Sequence, residues 1–424
     1  MTVLIAGAGI AGLSLALTCD QIGVPFRLFE SVRDIKPLGV GINLQPNAVR
    51  ELEDLGLANA LLNTGVQTRA FGLYTKYGQE IWTEPRGKAA GYRWPQYSVH
   101  RGQLQQLLYQ TLLDRAGDDC VETGWRATGF THQKNQIELQ LCSTRDNAER
   151  TEIGAVLVGA DGIHSAIRQQ LEPDEGPPEW GGAVLWRGTS LSEPFLNDAS
   201  MVMIGNATQR AVVYPITPPH PTTGLVTINW IAELTYDTDA HWNREDWNRK
   251  ARLQDFLPQF ENWRYDWLDI PELVRAAQTV YEYPMVDRTP IERWTEGAVT
   301  MMGDAAHPSY PVGSNGASQA IVDARVLGKM FLQAGVGQAA LTAYEAELLP
   351  ITRKMTLANR SSGPDAVLQL IEDRCDGRFD RLEDVASHQE LAEHASAYKR
   401  TAGFAIETLN AQARLIPENA QCIC

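Results

Sequence analysis

Residues 3–17, VLIAGAGIAGLSLAL, set a glycine-rich turn between two apolar runs. Val3-Leu4-Ile5-Ala6 has the unbroken apolar character of a strand buried on both faces of a parallel sheet. Leu13, Leu15, Ala16 and Leu17 read as the packed face of a helix. Between them Gly7, Gly9 and Gly12 fit G-x-G-x-x-G, with Ala11 next to the last glycine. Gly7 allows a tight turn, Gly9 lets a pyrophosphate approach the backbone, and Gly12 lets the helix pack on its strand. The helix start then offers unpaired N–H groups and the positive end of a dipole to phosphate oxygens. A second strand, Pro25-Phe26-Arg27-Leu28-Phe29, ends at Glu30, about 18 residues beyond Gly12, where a carboxylate accepts hydrogen bonds from an adenosine ribose. This predicts a dinucleotide site. By itself it does not separate NAD from FAD.

The chain has 424 residues, enough for two or three domains, and 44% hydrophobic content, enough for sizeable cores. Its net charge of −15, with no run of basic residues, argues against a nucleic-acid partner and against an anionic membrane surface. No apolar stretch reaches the roughly 18 residues of a membrane span. The first residues carry no Lys or Arg before the apolar run, so they read as strand and helix rather than a secretory signal. Cys19, Cys120, Cys142, Cys375, Cys422 and Cys424 are scattered without C-x-x-C spacing. That usage predicts a reduced, cytoplasmic protein with no metal site, and Cys422-Ile423-Cys424 reads as a tail.

Further along, Leu38-Gly39-Val40-Gly41-Ile42-Asn43 carries two glycines that permit close backbone approach. Helices are expected from Pro46 through Leu57 and from Gly102 to Leu113. The strand Ala155-Val156-Leu157-Val158 runs into a second glycine turn, Gly159-Ala160-Asp161-Gly162. Residues 180–285 are strand-rich, including Ala183–Trp186, Ala211–Tyr214 and Leu225–Trp230. A third turn, Gly303-Asp304, follows the strand Ala298–Met302 and precedes a helix from Gly316.

Three ordered motifs, GAGIAG, VGADGIHSAIR and MMGDAAHPSYPVGSNGA, therefore span about 300 residues. Their order resembles the FAD-dependent aromatic hydroxylases, flavoprotein monooxygenases of the p-hydroxybenzoate hydroxylase fold. The phrases PLGVGINLQPNAV, WTEPRG, PQYSVHRGQLQ, WRGT, YPMVDR and NGASQAI resemble the phenazine-hydroxylating members of that family. The resemblance implies an α/β fold of α+β two-domain form. It has a Rossmann-like FAD-binding domain (1–70, 101–175 and 286–350), a substrate domain with a mixed or antiparallel sheet (71–100 and 176–285), and a C-terminal helical segment (351–424).

The resemblance also assigns roles. Gly7, Gly9, Ala11, Gly12, Glu30 and Ser31 would hold the ADP half of FAD, and Gly41 would lie against the cofactor. Arg101 would meet its phosphate–ribityl stretch, where a fixed cation suits anionic oxygens. Asp161 would lie near the pyrophosphate, although it equally suits a helix N-cap. Gly303 and Asp304 would meet the ribityl hydroxyls. Pro311, Gly313, Asn315, Gly316 and Ala317 would wrap the isoalloxazine edge, with backbone N–H groups facing the flavin pyrimidine oxygen. This loop departs from the family pattern at Ser314, where glycine is common, and at Asn315, where glutamine is common.

The implied cycle has NADH or NADPH reduce FAD, O2 add at flavin C4a, and the terminal oxygen pass to an electron-rich ring. No second G-x-G-x-x-G is visible, so the nicotinamide would bind transiently in a groove. Trp186, Arg187, Tyr214 and Trp230 are the candidates for the substrate pocket, since a flat acid wants aromatic walls and a cation. His164 and His307 sit in the flavin motifs and read as structural histidines before proton shuttles; His307 and Pro311 are carried as catalytic candidates. The expected partners are a small aromatic substrate and O2, in a monomer or homodimer. An epoxidase or reductase on the same fold, and a non-catalytic flavin binder, are the competing readings.

Overall fold

The computed structural model describes the whole chain except residues 135, 238–248, 362–365, 402–404 and 423–424, and the side chains of 361, 397–399 and 401. Cys424 of the terminal pair thus lies outside the described residues.

The apolar run at the start forms the strand Val3–Ala6, every residue of it buried, and this strand lies at the centre of a five-stranded sheet. The order is Val299–Met301, Val156–Gly159, Val3–Ala6, Phe26–Glu30 and Val121–Thr123, with every pairing parallel. Helices cover it. Ile10–Gln21 packs on the long helix Gly316–Ala334, and Arg325 joins them by donating to Thr18 Oγ1 at 3.2 Å and Gln21 Oε1 at 2.6 Å. Arg325 is fully buried and also meets Glu51 of the helix Pro46–Asp54 at 3.3 Å.

A three-stranded antiparallel sheet (Trp125–Gln133, Gln136–Ser143, Glu149–Gly154) flanks this core. The second large layer is an eight-stranded mixed sheet. Its order is Arg249–Lys250, Val280–Asp287, Glu179–Ser192, Val226–Thr235, Gln209–Pro215, Ser200–Gly205, Ala70–Tyr74 and Glu80–Pro85. Only the pairing of Ser200–Gly205 with Ala70–Tyr74 is parallel. The strand Gln96–His100 does not join this sheet; it pairs with Gly41–Leu44 and Gly65–Thr68 in a small sheet between the two layers. Nor does the chain break at 351, because one helix runs from Gln338 to Ser361 with Pro350 inside it.

Both faces of the eight-stranded sheet are covered. One carries Trp186, Trp230, Val202 and Ile204 against Phe256 and Phe260. The other carries Phe71, Leu73, Met201, Met203 and Tyr214 against Val367, Leu368 and Leu391 of the helices Ala366–Cys375 and His388–Thr401. No helix among the described residues is long and apolar enough to cross a membrane.

Candidate functional site

The three glycine turns meet at one end of the parallel sheet. A Cβ on Gly7 (φ +102°) would stand 2.4 Å from the carbonyl oxygen of Ala160, so the first and second turns are in backbone contact. A Cβ on Gly303 (φ +57°) would stand 3.0 Å from the Ala11 Cβ, which joins the third turn to the first. Gly12 is closed in by the Gly7 carbonyl at 1.9 Å from its would-be Cβ, as helix-on-strand packing requires. Gly9 is different: nothing lies within 4 Å of its would-be Cβ, and it precedes the helix with ordinary φ of −72°. Open space beside the unpaired first N–H groups of a helix is what a pyrophosphate needs.

Glu30 is buried and braced. One carboxylate oxygen accepts the Ala8 N–H at 2.7 Å, and the other accepts Ser31 Oγ at 3.0 Å and the Val32 N–H at 2.8 Å. Oε2, which accepts only the Ala8 N–H, keeps a second lone pair for a ribose hydroxyl. Gln105, which the sequence reading did not single out, donates to the Ala8 carbonyl at 2.7 Å. It lies one helical turn after Arg101, the exposed first residue of the helix Arg101–Ala116. The Arg101 charge reaches Asp304.

Asp304 is exposed at its surface, with protein packed around its carboxyl on the other sides. Burial raises its pKa, opposed by the positive charges of His307 and Arg101 and assisted by the like charge of Asp323. Asp161 serves as a cap: its oxygens accept Ser165 Oγ at 2.6 Å and the Ala166 N–H at 2.8 Å at the start of the helix Ala166–Leu171. His307 is committed to Asp323, whose Oδ2 lies 2.6 Å from His307 Nε2 and also accepts the Gly303 N–H at 2.9 Å. Arg168, fully buried, donates to the carbonyls of Ala305 and Ala306 at 2.9 and 2.8 Å and pairs with Glu175. It thereby ties the second motif to the third.

The loop Pro311–Ala317 projects an exposed Pro311, a Gly313 at φ +76° and a Ser314 at φ +52°. The departure from glycine at Ser314 thus falls on a left-handed residue. Asn315 is buried and donates to Met355 Sδ at 3.0 Å, while its Oδ1 has no partner. Gly316 opens the long helix with nothing within 4 Å of a would-be Cβ.

Gly41 is closed in by the protein itself. Its would-be Cβ falls 2.7 Å from the Asn229 Cβ and 2.8 Å from Tyr214 Cε2, its N–H donates to Asn229 Oδ1 at 2.7 Å, and its carbonyl accepts from Arg187 at 2.8 Å. The missing side chain serves the junction between the two layers. One expectation, the Trp186 and Trp230 pocket walls, needs correction: both are core on the far face of the sheet. Trp186 stacks on Phe256 at 4.9 Å and donates to Glu282; Trp230 donates to Ser190 Oγ at 3.0 Å. Successive residues of a strand face opposite ways, so Trp186 and Arg187 cannot share a pocket.

Arg187 and Tyr214 do lie on the near face. Tyr214 is buried there, and burial pushes its pKa up to about 12 despite the charge of Arg187. The register Arg187–Ile231–Val212–Met203–Leu73–Trp82 carries one row across six strands. Five strand spacings put its ends roughly 24 Å apart. The cleft belongs to the far end of this row. It holds about 640 Å³ out to its open mouth, with Phe71, Leu73, Trp82, Glu84, Met201 and Met203 as floor. Gly313, Ser314 and Gln45 form one wall and Val367 and Leu391 another. The flavin-motif loop and the aromatic floor therefore face one space. The floor's signal in the sequence was the alternation at residues 71/73 and 201/203.

A family model described as FAD binding domain matches residues 1–359. The chain is 41% identical over 362 residues to a phenazine 1,6-dicarboxylic acid hydroxylase, PhzS, of Lysobacter antibioticus, covering 84% of this chain and 89% of that protein. It is 32% identical over 350 residues to an aurachin C monooxygenase/isomerase of Stigmatella aurantiaca, covering 82% and 84%. The fold matches that of Klebsiella pneumoniae HpxO complexed with FAD and uric acid, with a TM-score of 0.68 at 23% identity over 95% and 92% of the two chains. The chain belongs to the FAD binding domain family, among its flavoprotein aromatic hydroxylases, and FAD is its cofactor.

Proposed function

We propose that the protein is a single-component monooxygenase that uses NADH or NADPH and O2 to hydroxylate an aromatic or N-heteroaromatic small molecule. A phenazine carboxylate is the substrate class favoured, in keeping with the sequence phrases shared with 5-methylphenazine-1-carboxylate 1-monooxygenase and with the relative named above. The balance is NAD(P)H, H⁺, O2 and Ar–H giving NAD(P)⁺, water and Ar–OH; where the attacked carbon bears a carboxylate, CO2 leaves instead of the proton. The carrying observation is the cleft between the Gly313–Ser314 loop and the floor of Phe71, Leu73, Met201 and Met203.

When bound, FAD supplies oxygen activation at its C4a position. The chain supplies the rest. Gly9 and the helix start after it would receive the pyrophosphate, Glu30 the ribose, Asp304 the ribityl hydroxyls and Arg101 the phosphate side. The N–H groups of Gly316 and Ala317 would donate toward the pyrimidine edge and offset negative charge there. The floor orients the ring and excludes water, which strengthens those interactions. The nicotinamide would dock transiently in an open groove.

The test supplies the FAD-loaded protein with NADH or NADPH, ¹⁸O2 and phenazine-1-carboxylic acid. One labelled oxygen in the product per nicotinamide oxidised supports the reading. Hydrogen peroxide without labelled product supports an oxidase or reductase, and no nicotinamide oxidation a flavin-binding scaffold.

A further inference from the structure

The inner side of the cleft is built by the edge strand Glu80–Pro85 and the residue after it. Trp82, Glu84 and Arg86 alternate onto one face, and all three line the cleft. Across the strands, Trp82 stands beside Leu73 and Met203, and Glu84 beside Phe71 and Met201. The floor is thus four apolar side chains bordered by three polar ones. Arg86 lies over the Phe71 ring at 4.6 Å and pairs with Glu84 at 2.9 Å, both side chains largely buried. Two N–H donors of this border, Trp82 Nε1 and Arg86 Nε, are buried with no acceptor among the described residues.

Buried donors without acceptors are costly, and two on one wall of a cavity ask for an acceptor from a ligand. The Arg86 charge is already matched by Glu84, so the wall offers N–H geometry rather than net positive charge. We infer that Trp82 and Arg86 form the specificity subsite for an sp² oxygen attached to the aromatic ring, and that Glu84 makes this subsite read the oxygen without requiring an anion. A carboxylate oxygen and a carboxamide oxygen are then both accepted, whereas a ring with neither leaves both donors unmet. This rests on the hydroxylase reading above. It also moves the recognition of the substrate acid away from Arg187, which donates to the Gly41 carbonyl at the layer junction.

The experiment measures Kd from the absorbance change of the FAD-loaded protein for phenazine-1-carboxylic acid, phenazine-1-carboxamide and phenazine. The same acid, amide and parent series on benzene and on quinoline runs alongside. In the wild type, acid and amide should bind within about threefold of each other and the parent ring roughly tenfold or more weakly, the cost of leaving buried donors unmet. Trp82→Phe keeps the ring and removes one donor, so acid and amide should weaken roughly fivefold while the parent is unchanged. Glu84→Gln frees the Arg86 charge, so the acid should gain at least about fivefold over the amide. Equal binding of parent and acid in the wild type, or equal weakening of all three ligands by Trp82→Phe, overturns the subsite alone. No absorbance change with any ring overturns the hydroxylase reading and the subsite with it.

Discussion

His307 Nε2 lies 2.6 Å from Asp323 Oδ2, and the same oxygen accepts the Gly303 N–H, so one buried carboxylate holds both ends of the Gly303–His307 turn. Burial lowers the His307 pKa, but the charge and hydrogen bond of Asp323, with help from Asp304, outweigh it and leave the pKa raised. A raised folded-state value means the pair stabilises most below the ordinary histidine pKa of 6.5. The contribution is lost as pH rises through the higher folded-state value. Asp323→Asn should therefore cost about 3 kcal/mol near pH 6, as expected for breaking a buried charged pair. The deficit should shrink as pH rises, which urea unfolding across that range measures.

Gly7 and Gly9 should respond to alanine in opposite ways. Gly7→Ala meets a left-handed φ and a backbone oxygen, so the apoprotein itself should lose about 2 kcal/mol or more. Gly9→Ala meets open space at an ordinary φ, so apoprotein melting should be unchanged. Its FAD affinity should fall about tenfold or more, because a methyl group stands where phosphate oxygens approach the helix N–H groups. Calorimetry of the apoprotein and fluorescence titration with FAD separate the two.

Arg168 spans the second and third motifs, so its effect should exceed that of a surface charge. Arg168→Met leaves two buried carbonyls without their donor and Glu175 with Arg288 alone. A loss of about 3 kcal/mol is expected, together with faster FAD release, measured by thermal unfolding and by dilution of the loaded protein.

The glycine turns were legible because a tight turn, a close approach and a helix start each demand a residue type, and these demands survive without tertiary context. The cleft was less legible. Its sheet is buried on both faces, so apolar residues occupy both parities and residue type alone does not say which face meets the flavin loop. Strand parity could still have excluded the choice of Trp186 together with Arg187. The pairing of residues 200–205 with 70–74 brings together segments 130 positions apart, and no local pattern encodes it. The C-terminal helical segment carried no motif pointing to the site, yet its residues Val367 and Leu391 wall the cleft.

Ser314 sits in the left-handed region directly after Gly313. Ser314→Gly should be neutral or stabilise by less than about 1 kcal/mol, since relief of strain is offset by greater freedom of the unfolded chain. Ser314→Val should destabilise by about 1–2 kcal/mol and weaken FAD binding, because a β-branched side chain resists that conformation. Denaturant midpoints of the three proteins provide the comparison.

The central claim is that an aromatic ligand in the cleft works together with flavin at the Gly313–Ser314 loop. Anaerobic stopped-flow reduction of the FAD-loaded protein by NADH and by NADPH, with and without phenazine-1-carboxylic acid and other aromatic acids, tests it most directly. Bleaching of the flavin that accelerates with one ring class is the predicted result. Rates unchanged by every aromatic ligand would contradict the account.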